Sequence, residues 1–129
     1  MLSFCRKNEI QAAHFSGELV IMIRQAKFKI GQVVRHRIYP FKGVVFDVDP
    51  EFDNTDEWYD AIPEEVRPRK DQPFYHLFAE NEETEYVAYV SEQNLVATKP
   101  KEPLRHPQID EMFTINSNGD YEIRDVIKH

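Results

Sequence analysis

The residues of this chain best able to hold a soft metal are five histidines (His14, His36, His76, His106 and His129) and one cysteine, Cys5. None of the histidines pairs at helical or hairpin ligand spacing, and zinc sites want clustered His and Cys. His36 and His76 stand beside apolar residues in strand-like sequence, where a half-buried, hydrogen-bonded imidazole is expected. The run Asp47-x-Asp49-x-Glu51-x-Asp53 offers oxygen ligands. It lacks the glycine at the sixth loop position and the closing glutamate of a calcium loop, so it reads as a solvated acidic face. There is no Gly-x-Ser-x-Gly elbow, no phosphate-cradling glycine loop and no cysteine after Cys5. Acid–base catalysis needs carboxylates positioned in a dry pocket, and an exposed acidic run is the opposite environment. A binding protein is therefore expected, with no catalytic residue, metal or cofactor.

Two constellations can bind. From Lys27 to Lys42 there are five bases (Lys27, Lys29, Arg35, Arg37, Lys42) and no acid; from Gly43 to Val66 there are nine acids and no base. Arg35, Arg37 and Lys42, with Tyr39 and Phe41 between them, could set charge against phosphate and rings against bases or sugar. The acidic stretch carries Trp58, Tyr59 and Ile62 among Asp53, Asp56 and Glu57, residue types that anchor protein interfaces. Overall charge favours the second constellation: 16 Lys and Arg against 23 Asp and Glu give −7. Nucleic-acid binders usually carry a basic surplus, because releasing counterions from phosphates supplies much of their affinity. Nine nearby acids would further neutralise the basic strand.

These residues need a frame. A chain of 129 residues, 41% hydrophobic and 12% aromatic, fits one domain with a modest core. A single cysteine rules out an internal disulfide framework. The longest apolar run, Leu19–Ile23, is far below the ~18 residues that span a bilayer, and a cytoplasmic setting is expected. Residues 1–21 show no sustained periodicity and read as an upstream extension before a native start at Met22, with a short helix over Glu9–His14 as the alternative. Val33–Tyr39 alternates, with Val34, His36 and Ile38 on one face, and the turn Pro40–Gly43 leads to a second strand, Val44–Asp49. In that strand Val44, Phe46 and Val48 are expected to face together. Residues 50–73 form a long acidic insertion with a helical turn capped by Asn54 or Thr55. Strands follow at Phe74–Glu80, Thr84–Ser91 and Asn94–Thr98. Five short strands predict a mainly β domain over residues 22–100, a small antiparallel barrel of SH3- or Tudor-like type. Residues 101–129 read as a tail with a short helix from Pro107 and a two-residue Asn118-Gly119 hairpin.

Four motifs then stand in order: Lys27-Phe28-x-Ile30-Gly31-Gln32-x-Val34-Arg35-His36, Gly43-Val44-Val45-x-Asp47-x-Asp49-Pro50, Gln72-Pro73-Phe74-Tyr75-His76-Leu77, and Tyr89-Val90-Ser91-Glu92-x-Asn94-Leu95. Over about residues 24–98 the chain closely resembles the HspQ family, also called the YccV-like or hemimethylated-DNA-binding domain. The resemblance implies a compact SH3- or Tudor-like barrel and a start just before the Lys-Phe element. It also implies two roles. One is a heat-shock accessory of Lon-type proteolysis, acting on denatured proteins and on the replication initiator DnaA. The other is binding to hemimethylated DNA. The family has no catalytic constellation to carry across. The acidic balance places the protease-accessory role first, with Lon-type protease and denatured clients as partners, and exposed strand edges offer a route to self-association.

Overall fold

The computed structural model describes residues 10–15, 18–23 and 26–124, the first two stretches as backbone only. Those two are strands β1 (Ile10–Phe15) and β2 (Glu18–Ile23), paired antiparallel with Ala12 opposite Ile21. The absence of strand periodicity in the sequence is misleading here, and Glu9–His14 does not form the alternative helix: its described part, from Ile10, is strand. Residues 1–9, 16 and 17 of the expected extension, and residues 125–129, lie outside the described residues.

The main sheet is antiparallel and five-stranded. It comprises β3 (Val33–His36), β4 (Lys42–Asp49), β5 (Phe74–Glu80), β6 (Glu85–Ser91) and β7 (Leu95–Ala97), in the order β6-β5-β4-β3-β7. The expected closed barrel is not formed by pairing: β6 and β7 are edges, and no ladder joins them among the described residues. β7 is three residues long and pairs with β3, and a 3-10 turn at Glu92–Asn94 separates it from β6. No helix among the described residues is long and apolar enough to cross a membrane.

A β-bulge sets which side chains meet. The β4–β5 register shifts between Val45 and Asp47, which inserts one unpaired residue and reverses the alternation beyond it. Val44 and Phe46 therefore face one side, while Val48 joins Val45 on the other instead of following Val44 and Phe46 as the unbroken alternation predicts. On the Val45 side lies the main core of Phe28, Val34, Tyr75, Leu77, Val90 and Leu95. Tyr75 anchors it: its hydroxyl donates to Glu92 Oε2 at 2.6 Å and accepts the Phe28 N–H at 3.1 Å. Burial, with the Glu92 carboxylate, pushes that hydroxyl's pKa far up, so it stays a donor.

Between β4 and β5 the insertion forms helix α1 (Asp56–Asp60), whose first turn is closed by Thr55 Oγ1 accepting the Trp58 N–H at 3.1 Å. Beyond β7 the chain does not trail away. Helix α2 (Ile109–Met112) and the hairpin of β8 (Phe113–Ile115) and β9 (Tyr121–Ile123) cover the Val44 side of the sheet. There Leu104, Ile109, Phe113 and Tyr121 pack with Val44 and Phe78 as a second core. The hairpin loop has three residues between Asn116 and Asp120 rather than two, with Gly119 at φ 84°. Gly31 makes the close approach possible. At φ 91° it donates its N–H to Val45 O, and a Cβ there would lie 2.5 Å from Tyr121 O. Gly43 does not adopt the positive φ its turn-like context suggests; it is a strand residue pressed on the Phe78 carbonyl, where a Cβ would sit at 2.7 Å.

Candidate nucleic-acid interface

Register places charges in a row. Arg35 is opposite Lys42, Lys42 opposite Glu80, and Glu80 opposite Glu85. Directly opposed residues share a face, so the row reads two positive charges then two negative, with Arg35 and Lys42 repelling one another. Arg105, from the connection after β7, occupies the negative half. Its backbone N–H donates to Glu80 Oε1, and its guanidinium lies 3.7 Å from Glu80 and 3.3 Å from Glu85. It also donates to Asn81 O at 2.6 Å. The buried Glu80 is thus turned to Arg105. Among the described residues no ion pair reaches Arg35, Arg37 or Lys42. Sequence reasoning missed Arg105 because 25 residues separate it from Glu80 with no local pattern to link them.

The tip between β3 and β4 is built on His36. This side chain is 5% exposed, and its Nδ1 accepts the N–H groups of Ile38 and Tyr39, both at 3.0 Å. Two donors on Nδ1 fix the neutral tautomer with hydrogen on Nε2. The Tyr39 ring stacks on the imidazole at 4.8 Å, and the His36 N–H donates to Phe41 O at 3.0 Å. The strand therefore ends at His36, and Ile38, expected on the inner face with Val34 and His36, is 52% exposed. Phe41 turns inward against Tyr86 and the main core. Arg35 through Lys42 line a cleft of about 420 Å³ together with Glu80, Asn81, Glu82 and Arg105.

Burial, and secondarily the Arg37 charge, holds the His36 pKa below the ordinary 6.5. The sign follows from linkage. Below pH 6.5 the unfolded chain binds a proton that the folded imidazole resists, so this site's stabilisation is full above 6.5 and is lost as pH falls toward the depressed folded value. We expect a ring titration followed by NMR to show a midpoint under 6.5, with Ile38 and Tyr39 amide exchange accelerating through it. A midpoint at or above 6.5 would contradict the buried neutral acceptor.

No acid of the insertion forms an ion pair with the basic strand among the described residues. Asp56 pairs with Lys70 at 3.2 Å, and Arg67 donates to the Asp60 and Ile62 carbonyls. A short basic run at Arg67, Arg69 and Lys70, just past the acid-only stretch, serves the insertion from within. Trp58 and Tyr59 are half-buried and pack at the Asp49 end of β4. Trp58 lies 5.4 Å from Tyr89, Tyr59 lies 5.3 Å from Phe52, and Lys70 Nζ sits 4.6 Å over the Tyr59 ring. Ile62 is half-buried; Asp53, Asp56 and Glu57 are exposed. Lys42 lies at the other end of the eight-residue β4, about 20 Å away along the strand. The insertion does return toward Arg37, through an amide: Asn94 Oδ1 accepts from Arg37 Nε at 3.1 Å, and Asn94 Nδ2 donates to Val66 O at 2.8 Å.

A family model described as hemimethylated DNA-binding protein YccV like matches residues 26–120. The chain belongs to the YccV-like family. No solved structure matches it. The match runs past Pro100 into the second core and takes in α2 and β8 as well as the five-stranded sheet.

Two other features of the YccV-like domain bring polar groups together. Asp47, Asp49 and His76 each bring a ligand atom within 4.8 Å of the others. Asp49 Oδ2 already accepts from the Tyr89 hydroxyl at 2.8 Å and lies 3.0 Å from His76 Nε2, so the group is a hydrogen-bonded network that ties β4, β5 and β6 together. Burial pushes the Tyr89 hydroxyl's pKa up, so it remains a donor. A groove of about 800 Å³ between β7 and the β8–β9 loop mixes Lys29, Lys99 and Lys101 with Glu102, Asp120 and Glu122. Charges so balanced give no preference for phosphate.

Proposed function

We propose that this YccV-like domain binds hemimethylated duplex DNA through Arg35, Arg37 and Lys42, by contact alone and with no chemistry of its own. One observation carries the reading: Arg105 takes up part of the charge of Glu80 and Glu85, so the row of Arg35, Lys42, Glu80 and Glu85 keeps a net positive charge on the Arg35–Lys42 side. A phosphate oxygen between two repelling cations relieves them both. The overall −7 is a weaker objection than the sequence alone suggests. Asp49 lies at the far end of β4 from Lys42, about 20 Å along the strand, more than two screening lengths at physiological salt.

Fluorescence anisotropy with hemimethylated, fully methylated and unmethylated duplexes, across a salt series, tests this. Binding should favour the hemimethylated duplex, and log K should fall with log salt with a slope of about −2.7 for three phosphate contacts. No binding at low salt removes the reading.

A second reading, accessory to Lon-type proteolysis of denatured proteins and DnaA, is supported by a different surface. The β6 edge is unpaired in the main sheet, Val87 on it is 53% exposed, and Trp58 stands half-exposed among acids. On this reading Trp58→Ala with Ile62→Ser abolishes stimulation of purified protease and leaves DNA binding intact. Unchanged stimulation removes it.

A further inference from the structure

We infer that the hairpin tip Ile38-Tyr39-Pro40 is an apolar wedge that enters a base step of the bound duplex. This rests on the DNA reading and deepens it, because it names the part of the ligand that the phosphate-contacting cations cannot read.

Four large hydrophobic side chains are markedly exposed among the described residues: Ile38, Tyr39, Val87 and Ile115. Val87 and Ile115 stand singly on separate strands, whereas Ile38 and Tyr39 are adjacent and followed by the exposed Pro40. A flexible loop with such residues would fold them onto the sheet. This one is fixed in place with Ile38 52% and Tyr39 38% exposed. His36 Nδ1 receives two of its amides, Tyr39 O accepts the Phe41 N–H at 2.9 Å, and the Tyr39 ring is propped on the imidazole at 24°. Ordering entropy is thus removed before binding, as an inserting element requires. The surroundings identify the occupant. Arg35 and Lys42 lie on the strands below the tip, and Arg37 begins it. Apolar residues flanked on their own hairpin by three cations, with Glu80 and Glu82 only on the opposite wall of the cleft, match duplex DNA, where wedges part stacked bases while flanking cations hold the phosphates.

The test uses the full chain and an Ile38→Ser/Tyr39→Ser variant, with a hemimethylated duplex labelled at both ends for energy transfer. The wild type should shorten the end-to-end distance. The variant should bind about tenfold more weakly, with an unchanged salt slope and a straight duplex, and Ile38→Leu/Tyr39→Phe should restore both. A double-serine variant that binds and bends like wild type overturns the wedge and leaves the DNA reading standing. A wild type that binds no duplex overturns both. Self-association lost in the double-serine variant, with DNA affinity unchanged, overturns the wedge in favour of a contact between two copies.

Discussion

An Arg35→Glu/Arg37→Glu/Lys42→Gln variant is expected to lose at least a hundredfold in affinity for duplex DNA at moderate salt while remaining folded. Three phosphate contacts account for a salt slope of about −2.7, and the residual binding of the variant should be nearly flat with salt. Lys42 is neutralised rather than reversed because a glutamate there would oppose Glu80 across the ladder. The fold should tolerate all three changes. Arg35 and Arg37 are exposed, and taking the charge from Lys42 removes a cross-strand repulsion. Arg37 gives up its bond to the buried Asn94 amide oxygen, a cost of about 1–3 kcal/mol. Thermal melts and titrations of one preparation separate lost charge from lost structure. Retention of affinity with the wild-type salt slope would place the phosphates elsewhere.

Phe113→Ala should be the most damaging single truncation outside the main core. The ring is 1% exposed and meets Tyr121 edge-on at 6.3 Å, where the second core closes over Val44 and Phe78. Removing it leaves a cavity that backbone packed this closely cannot fill, a loss of about 3–5 kcal/mol. For a domain of this size the melting temperature should drop by roughly 15 °C. The consequence reaches the binding face. The same segment carries Arg105, so loosening it frees Glu80 beside Lys42, and DNA affinity should fall severalfold with no cation mutated. A melting temperature within a degree or two of wild type would mean that residues 101–124 contribute little to the fold.

Much of the sheet was legible because local pattern dictates it. Short apolar and aromatic runs in Phe74–Glu80 and Glu85–Ser91, and Thr55 ahead of Trp58, follow strand-composition and capping rules that need no tertiary information. What escaped depends on contacts distant in sequence. The bulge at Phe46 has no composition of its own, yet it decides that Val48 and not Asp47 joins Val45 on the main-core side. The open sheet follows from a three-residue β7, and strand count alone does not reveal it. Ile38 looked like an inner-face residue because nothing in the sequence says that His36 will turn its ring back to take two amides. The largest misjudgement concerned charge. The acid-only stretch ends at Val66 and the next bases begin at Arg67; Lys70 there pairs with Asp56, whereas no ion pair among the described residues joins the insertion to Arg35 or Arg37. Reading charge by segment, without register, put the two signs face to face.

Backbone amide shifts of ¹⁵N-labelled protein, followed as hemimethylated duplex is added at low salt, test the interface most directly. The predicted perturbations concentrate at residues 35–42 and at Arg105, vanish on adding salt, and leave residues 53–62 unmoved. Perturbations confined to the insertion or to the β6 edge, with 35–42 silent, would contradict the assignment of the cationic hairpin as the surface that meets DNA.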